Sequence, residues 1–211
     1  MPQNPETKKV KREAARKARL EAQLARERAK KRKRLGMIAG ALVLVLLVAF
    51  AVNKRSESSG RNIAELSKKA GCGAVESIKE LPAGPHLSPG APAPKYNSVP
   101  PTSGLHLPSP GPWGSQDTTV DNKILVHNLE HGGVVLHYKG ASDKEIDELN
   151  TLADDTYVDG VIVQPNPKIK AALAMTSWGK LQNCKKISIP VIKAFIKSHC
   201  NKGPEKLGLS C

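Results

Sequence analysis

Residues 132–164 read GGVVLHYKGASDKEIDELNTLADDTYVDGVIVQ, and the order of patterns within them sets the fold class. Val134-Val135-Leu136-His137-Tyr138 is apolar, rich in β-branched residues and bounded by glycines, which predicts a strand. Ser142 to Ala153 predicts a helix. Ser142 is a candidate N-cap, Glu145 completes a capping box, and Ile146, Leu149 and Leu152 recur on one helical face. Tyr157 to Gln164 predicts a second strand, ended by Pro165-Asn166-Pro167. Beyond it, Ile169 to Trp178 reads as a third strand, with its alanines leaving a helix open, and Pro190 to Cys200 as a helix with proline in its first turn. The order β-α-β-β-α predicts an α+β domain: a small mixed sheet with two or three helices.

Upstream lies His127-Asn128-Leu129-Glu130-His131-Gly132-Gly133. The two histidines are four residues apart and share a face if the segment is helical. Gly132-Gly133 then ends any helix. Of six histidines in the chain, four stand at 106, 127, 131 and 137, a density that suggests chemistry rather than scatter. Imidazoles from His106, His127 and His131 suit zinc or copper. Glu130 fits as a fourth ligand, as a partner of a ligand, or as a catalytic proton acceptor. His137 is a weaker candidate. The string H-x-x-E-H is also that of inverted zinc peptidases, but the glycines stop the helix that such an enzyme continues. A plainer reading stands beside these: Glu130 satisfies amides of the upstream loop, His127 packs under that loop and His106 caps it. His86 and His199 show no partner in the sequence and read as ordinary polar residues.

The upstream loop is itself unusual. Ten prolines fall within the 31 residues from Pro82 to Pro112, which excludes a regular helix or a central strand. His86, Tyr96 and His106, with Trp113 just beyond, are more than a simple linker needs, so an ordered loop wrapping the domain is expected.

The N-terminal third has a different character. Residues 8–34 hold 14 Lys or Arg against three acids, and Leu35 to Val52 follow without a charge. About 18 or more uncharged, mostly apolar residues suffice for a membrane-spanning helix. Lys30-Lys31-Arg32-Lys33-Arg34 abuts this stretch on one side, while Lys54, Arg55 and Glu57 lie on the other. The positive-inside rule therefore predicts a basic cytoplasmic tail (1–34), a transmembrane helix (35–52), a polar stalk (53–70) and an extracytoplasmic domain (71–211). Ala49-Phe50-Ala51 resembles a signal-peptidase site, but the long basic lead and long apolar run favour an uncleaved anchor. Residues 30–34 are expected to attract anionic inner-leaflet lipids.

The net charge of +14 divides unevenly. Residues 1–34 carry 14 basic and four acidic residues (+10), and residues 53–211 carry 19 and 15 (+4). With aromatics at 3% there is little to stack bases on, and no nucleic-acid partner is expected.

All four cysteines follow the predicted span, and an even count in an exported domain predicts two disulfides. Three pairings are possible; Cys72–Cys184 with Cys200–Cys211 is the preferred one. No CxxC is present, which disfavours a dithiol redox enzyme.

Four strings, PPTSGLH (100–106), VHNLEHGG (126–133), VVLHY (134–138) and TSWG (176–179), resemble the bacterial domain of unknown function 3105 family over about residues 71–205. The resemblance implies one membrane span ahead of the domain and carries no activity. Ser177 stands where the family pattern leads one to expect alanine. The expected function is that of an anchored extracytoplasmic domain binding a transition metal. The alternatives are an envelope interaction module without metal and a metal-dependent hydrolase with Glu130 as base.

Overall fold

The structure is a computed structural model that describes residues 5–205 and 207–211, with side chains from residue 60 onward, Lys206 apart, and for part of the chain before it. The chain forms two compact units, Met1–Ser59 and Gly60–Cys211.

Helix α1 (Pro5–Lys69) contains every described residue of the first unit and enters the second. Its large apolar side chains from Leu42 to Val52 are all more than half exposed. Among the described residues no helix is long and apolar enough to cross a membrane. The expected span 35–52 includes Leu35, Ile38, Ala39 and Ala51, whose side chains lie outside those described. The stretch expected as a stalk, 53–70, is helical as far as Lys69.

The second unit is an α+β domain on a six-stranded mixed sheet in the order β1-β6-β5-β3-β4-β2. The strands are β1 (Glu76–Ser77), β2 (Gly114–Ser115), β3 (Val134–Tyr138), β4 (Val161–Pro165), β5 (Leu173–Ser177) and β6 (Lys180–Cys184). The predicted strand 134–138 forms with those bounds and sits inside the sheet. It pairs in parallel with β4 (Val135 opposite Ile162) and antiparallel with β5 (Val135 opposite Thr176). A parallel pair needs a long crossover, and α3 (Asp143–Thr151) supplies it. Its capping box is present: Glu145 N donates to Ser142 Oγ, and Ser142 N donates to Glu145 Oε2 at 2.9 Å. Donation from Ser142 N, and from Ser142 Oγ to the same Oε2, holds the Glu145 carboxyl below the usual carboxylate range.

Three boundaries differ from the expectation. A π-helical turn (Leu152–Thr156) prolongs α3, closed by Tyr157 N donating to Leu152 O. The following Asp159-Gly160 turn delays β4 until Val161. In the segment 169–178, read as a third strand, only Leu173–Ser177 is strand, the helix left open as an alternative does not form, and Ile169 is buried in the preceding turn. Strand β6 and the short β1 and β2 had no expectation. β6 (KLQNC) buries Leu181 and Cys184 but carries too few apolar residues to show a period-two pattern.

Alternation across the sheet divides the core. Val134, Leu136, Val161, Val163, Leu173 and Met175 face α3 and α4 (Ile189–His199), meeting Leu149, Ile192, Phe195 and Ile196. Each fully buried side chain of this size contributes about 1.5–3 kcal/mol. Val135 and Ile162 face the other way, into a smaller core built from Leu125, Val126 and Leu129 of α2 (Asn122–Glu130) and from Trp113, Tyr96 and Trp178. The proline-rich loop therefore closes the second face of the sheet, as an ordered covering. Disulfides Cys72–Cys184 and Cys200–Cys211 form, the pairing preferred from the sequence.

Candidate metal centre

Helix α2 positions the site. Asp121 caps its start by accepting from Lys123 N at 2.9 Å. His131 is its C-cap, and Gly132 follows at φ +88°, a conformation that favours glycine. Gly133 is required for a different reason: a Cβ there would lie 2.5 Å from Trp113 Cη2 and 2.8 Å from Asn128 O. The two glycines thus end the helix and let the loop close on it.

Asn128 fastens the loop. Its amide donates to Gly111 O at 2.9 Å, and its carbonyl accepts from Gly111 N at 2.8 Å. Next to it in the helix, His127 Nδ1 donates to Leu107 O at 2.8 Å. On the loop itself, His106 Nδ1 donates to Gly104 O at 2.8 Å. Carbonyls only accept, so these bonds fix both tautomers and leave each Nε2 with its lone pair when the ring is neutral. Metal-ligating histidines are typically oriented this way, through a carbonyl on the other ring nitrogen.

His106 is wholly buried and His127 is nearly so. Burial holds the His127 ring below the usual histidine pKa, and the neighbouring His131, His106 and His86 add to that, against the Leu107 carbonyl. Glu130, 7% exposed, turns Oε2 to His106 Nε2 at 2.9 Å.

His86 completes the group. Its ring stacks on His127 with centroids 5.1 Å apart and meets the edge of His106 at 5.0 Å. His86, His106, His127 and Glu130 each offer a ligand atom, all within 4.8 Å of one another, and this group can hold a metal ion. Ligand atoms about a bound zinc lie roughly 3.3 Å apart, given bonds of about 2.0–2.1 Å, so modest side-chain movement would close the shell. His86 is exposed and leaves the group open to solvent.

Of the residues singled out in the sequence, His106, His127 and Glu130 come together. His131 is adjacent, its ring 4.4 Å from that of His127, but it pairs with Glu205 at 3.1 Å and joins a second group, Glu130, His131 and Glu205. His86, read as an ordinary polar residue, is a member of the first group. It sits in coil 20 residues before His106, where no periodicity marks it; Glu205 likewise sits in an irregular segment near Gly203-Pro204.

His137 has another role. It lies on β3, where Nδ1 accepts from Gln164 Nε2 at 2.9 Å and Asn166 Nδ2 at 3.2 Å. Burial takes its pKa down to about 3. It is a neutral pin within the sheet. His199 packs on Phe195, with ring centroids 4.6 Å apart.

The family described as Protein of unknown function (DUF3105) matches residues 91–211. No curated protein and no solved structure matches.

Proposed function

We propose that this chain, which belongs to the DUF3105 family, is a membrane-anchored protein whose extracytoplasmic domain binds a transition metal through His86, His106, His127 and Glu130. The observation that carries the reading is the shared tautomer of His106 and His127. Each gives its Nδ1–H to a loop carbonyl, and His106 Nε2 then faces a carboxylate oxygen. Two lone-pair atoms 2.9 Å apart need a cation or a proton between them. Three imidazoles and a carboxylate suit zinc or copper(II). No free cysteine is present among the described residues to favour copper(I).

The test uses the purified full chain, stripped with chelator and titrated with zinc and copper(II). Micromolar or tighter binding that is lost in His127→Ala and in His106→Ala supports the reading. A folded wild-type chain that refuses both metals overturns it.

Anchoring is supported by the uncharged stretch 35–52, the basic run 30–34 before it, and the exposed apolar side chains from Leu42 to Val52. An apolar band exposed to this extent is a poor surface in water and a good one in lipid. Two disulfides suit an oxidising compartment. Protease added to spheroplasts should digest the C-terminal domain and spare an N-terminal tag. Protection of the domain would refute the orientation.

A second reading has the same residues knitting the loop to α2 without metal, as an envelope interaction module. The Asn128–Gly111 pair and the two Nδ1 bonds favour it, since they serve that purpose unaided. The metal titration decides between the two.

A further inference from the structure

Glu130 belongs to two groups at once. One is the His86, His106 and His127 group; the other contains His131 and Glu205, with its ligand atoms also within 4.8 Å of one another. We propose that the second group is a second divalent-metal site, so that Glu130 bridges a two-metal centre. The inference rests on the first site binding metal, because the bridging carboxylate is common to both.

Three observations support it. First, the segment carrying Glu205 is fastened to the end of α2. Asn201 N donates to Gly132 O at 2.8 Å, and Glu205 N donates to Glu130 O at 3.1 Å. A Cβ on Gly203 would collide with Glu130 O and Gly132 N. Only a glycine permits this approach, which brings an acid from the C-terminal segment onto a histidine that a helix end presents.

Second, His131 Nε2 and Glu205 Oε2 stand 3.1 Å apart at a site open to solvent, the side chains being 16% and 57% exposed. A metal can enter there without disturbing the core. Third, the site lies at the C-terminal end of the nine-residue helix α2, where the helix dipole favours a cation.

The chemistry is self-consistent. A carboxylate has two oxygens and can bind one ion through each. Ions shared in this way typically lie about 3.5–4 Å apart. Two divalent ions among neutral imidazoles and the carboxylates of Glu130 and Glu205 leave a net charge of +2, so the centre would attract anions and oxygen ligands. His131, paired with His127 by sequence spacing and grouped with His106 as a third imidazole, becomes a ligand of the neighbouring ion instead.

The test is zinc stoichiometry in the full chain after dialysis, measured for wild type, Glu205→Gln, His131→Ala and His127→Ala, each checked for fold by circular dichroism. Two equivalents in wild type, falling to one in Glu205→Gln and His131→Ala, establish the second site. Copper(II) loading should then give a spin-coupled resonance signal that becomes that of an isolated ion in Glu205→Gln. One equivalent in wild type, unchanged in Glu205→Gln and lost in His127→Ala, overturns the second site and leaves the first standing. Two equivalents retained by both Glu205→Gln and His131→Ala overturn the assignment of ligands. No zinc in folded wild type overturns both sites. Glu205 is more than half exposed, so its glutamine variant tests the site without threatening the core.

Discussion

Glu130 Oε2 stands 2.9 Å from His106 Nε2, and in the neutral tautomer set by Gly104 O both atoms are acceptors. The contact is satisfied by a proton or by a metal ion. Glutamine at 130 would satisfy it differently, by donating its own N–H to the imidazole. Glu130→Gln should therefore leave apo stability within about 1 kcal/mol, while zinc affinity falls at least about tenfold, or about 1.4 kcal/mol. Calorimetric zinc titration alongside chemical unfolding checks both halves. A variant that binds zinc as tightly as wild type would contradict the role given to Glu130.

Acid should destabilise the domain through His137. Its folded pKa is about 3, below the unfolded value of about 6.5. The unfolded chain therefore takes up a proton that the folded chain refuses. The contribution is complete above about pH 6.5 and is lost as pH falls from there towards 3, at up to about 1.4 kcal/mol per unit. Unfolding followed by the fluorescence of Trp113 and Trp178 at pH 7 and pH 5 measures the slope. His137→Asn, which keeps an acceptor near the Nδ1 position, should flatten it.

Asn128→Ala should cost about 2–4 kcal/mol. It removes two hydrogen bonds and leaves the buried amide and carbonyl of Gly111 without their partner. Asn128→Asp keeps the acceptor but sets a second acceptor against the Gly111 carbonyl at a fully buried position, and should lose at least as much. If the loop were merely draped on the domain, neither change would register in unfolding curves.

Gly133→Ala should destabilise as strongly as a core lesion. The added methyl meets the Trp113 ring and the Asn128 carbonyl, and one of them must move. Trp113 fluorescence should shift to the red as the ring is displaced. Trp113→Ala in the same chain should recover part of the loss by making room.

Much of the domain was legible where local chemistry and burial agree. Strand β3 was, because its apolar run ends in glycines on one side and the Lys139-Gly140 turn on the other. Helix α3 was, because Ser142 and Glu145 satisfy each other across its first turn. The end of α2 at Gly132 followed from the need for a positive φ. What stayed hidden depends on long-range geometry. His86 and Glu205 reach the site from irregular segments, about 40 residues before Glu130 and about 75 after it, and no periodicity connects them. Strand β6 owes its place to pairing with β5 rather than to its own composition. Helical spacing placed His127 and His131 side by side, yet the capping position of His131 aims it at a different partner.

The bond between Cys72 and Cys184 has a mechanical consequence. Cys72 stands three residues after the last residue of α1, and Cys184, 112 positions further along the sequence, is the last residue of β6. A pull on the chain from its N-terminal side meets a covalent link into the sheet before it reaches β1. The two residues of β1 and the whole proline-rich loop lie on the sheltered side of that link. Tension would pass into β6 and its neighbours while the histidines and the loop that holds them carried no load. Reducing the bond would send the same force first through β1 and then into the loop that carries His86 and His106.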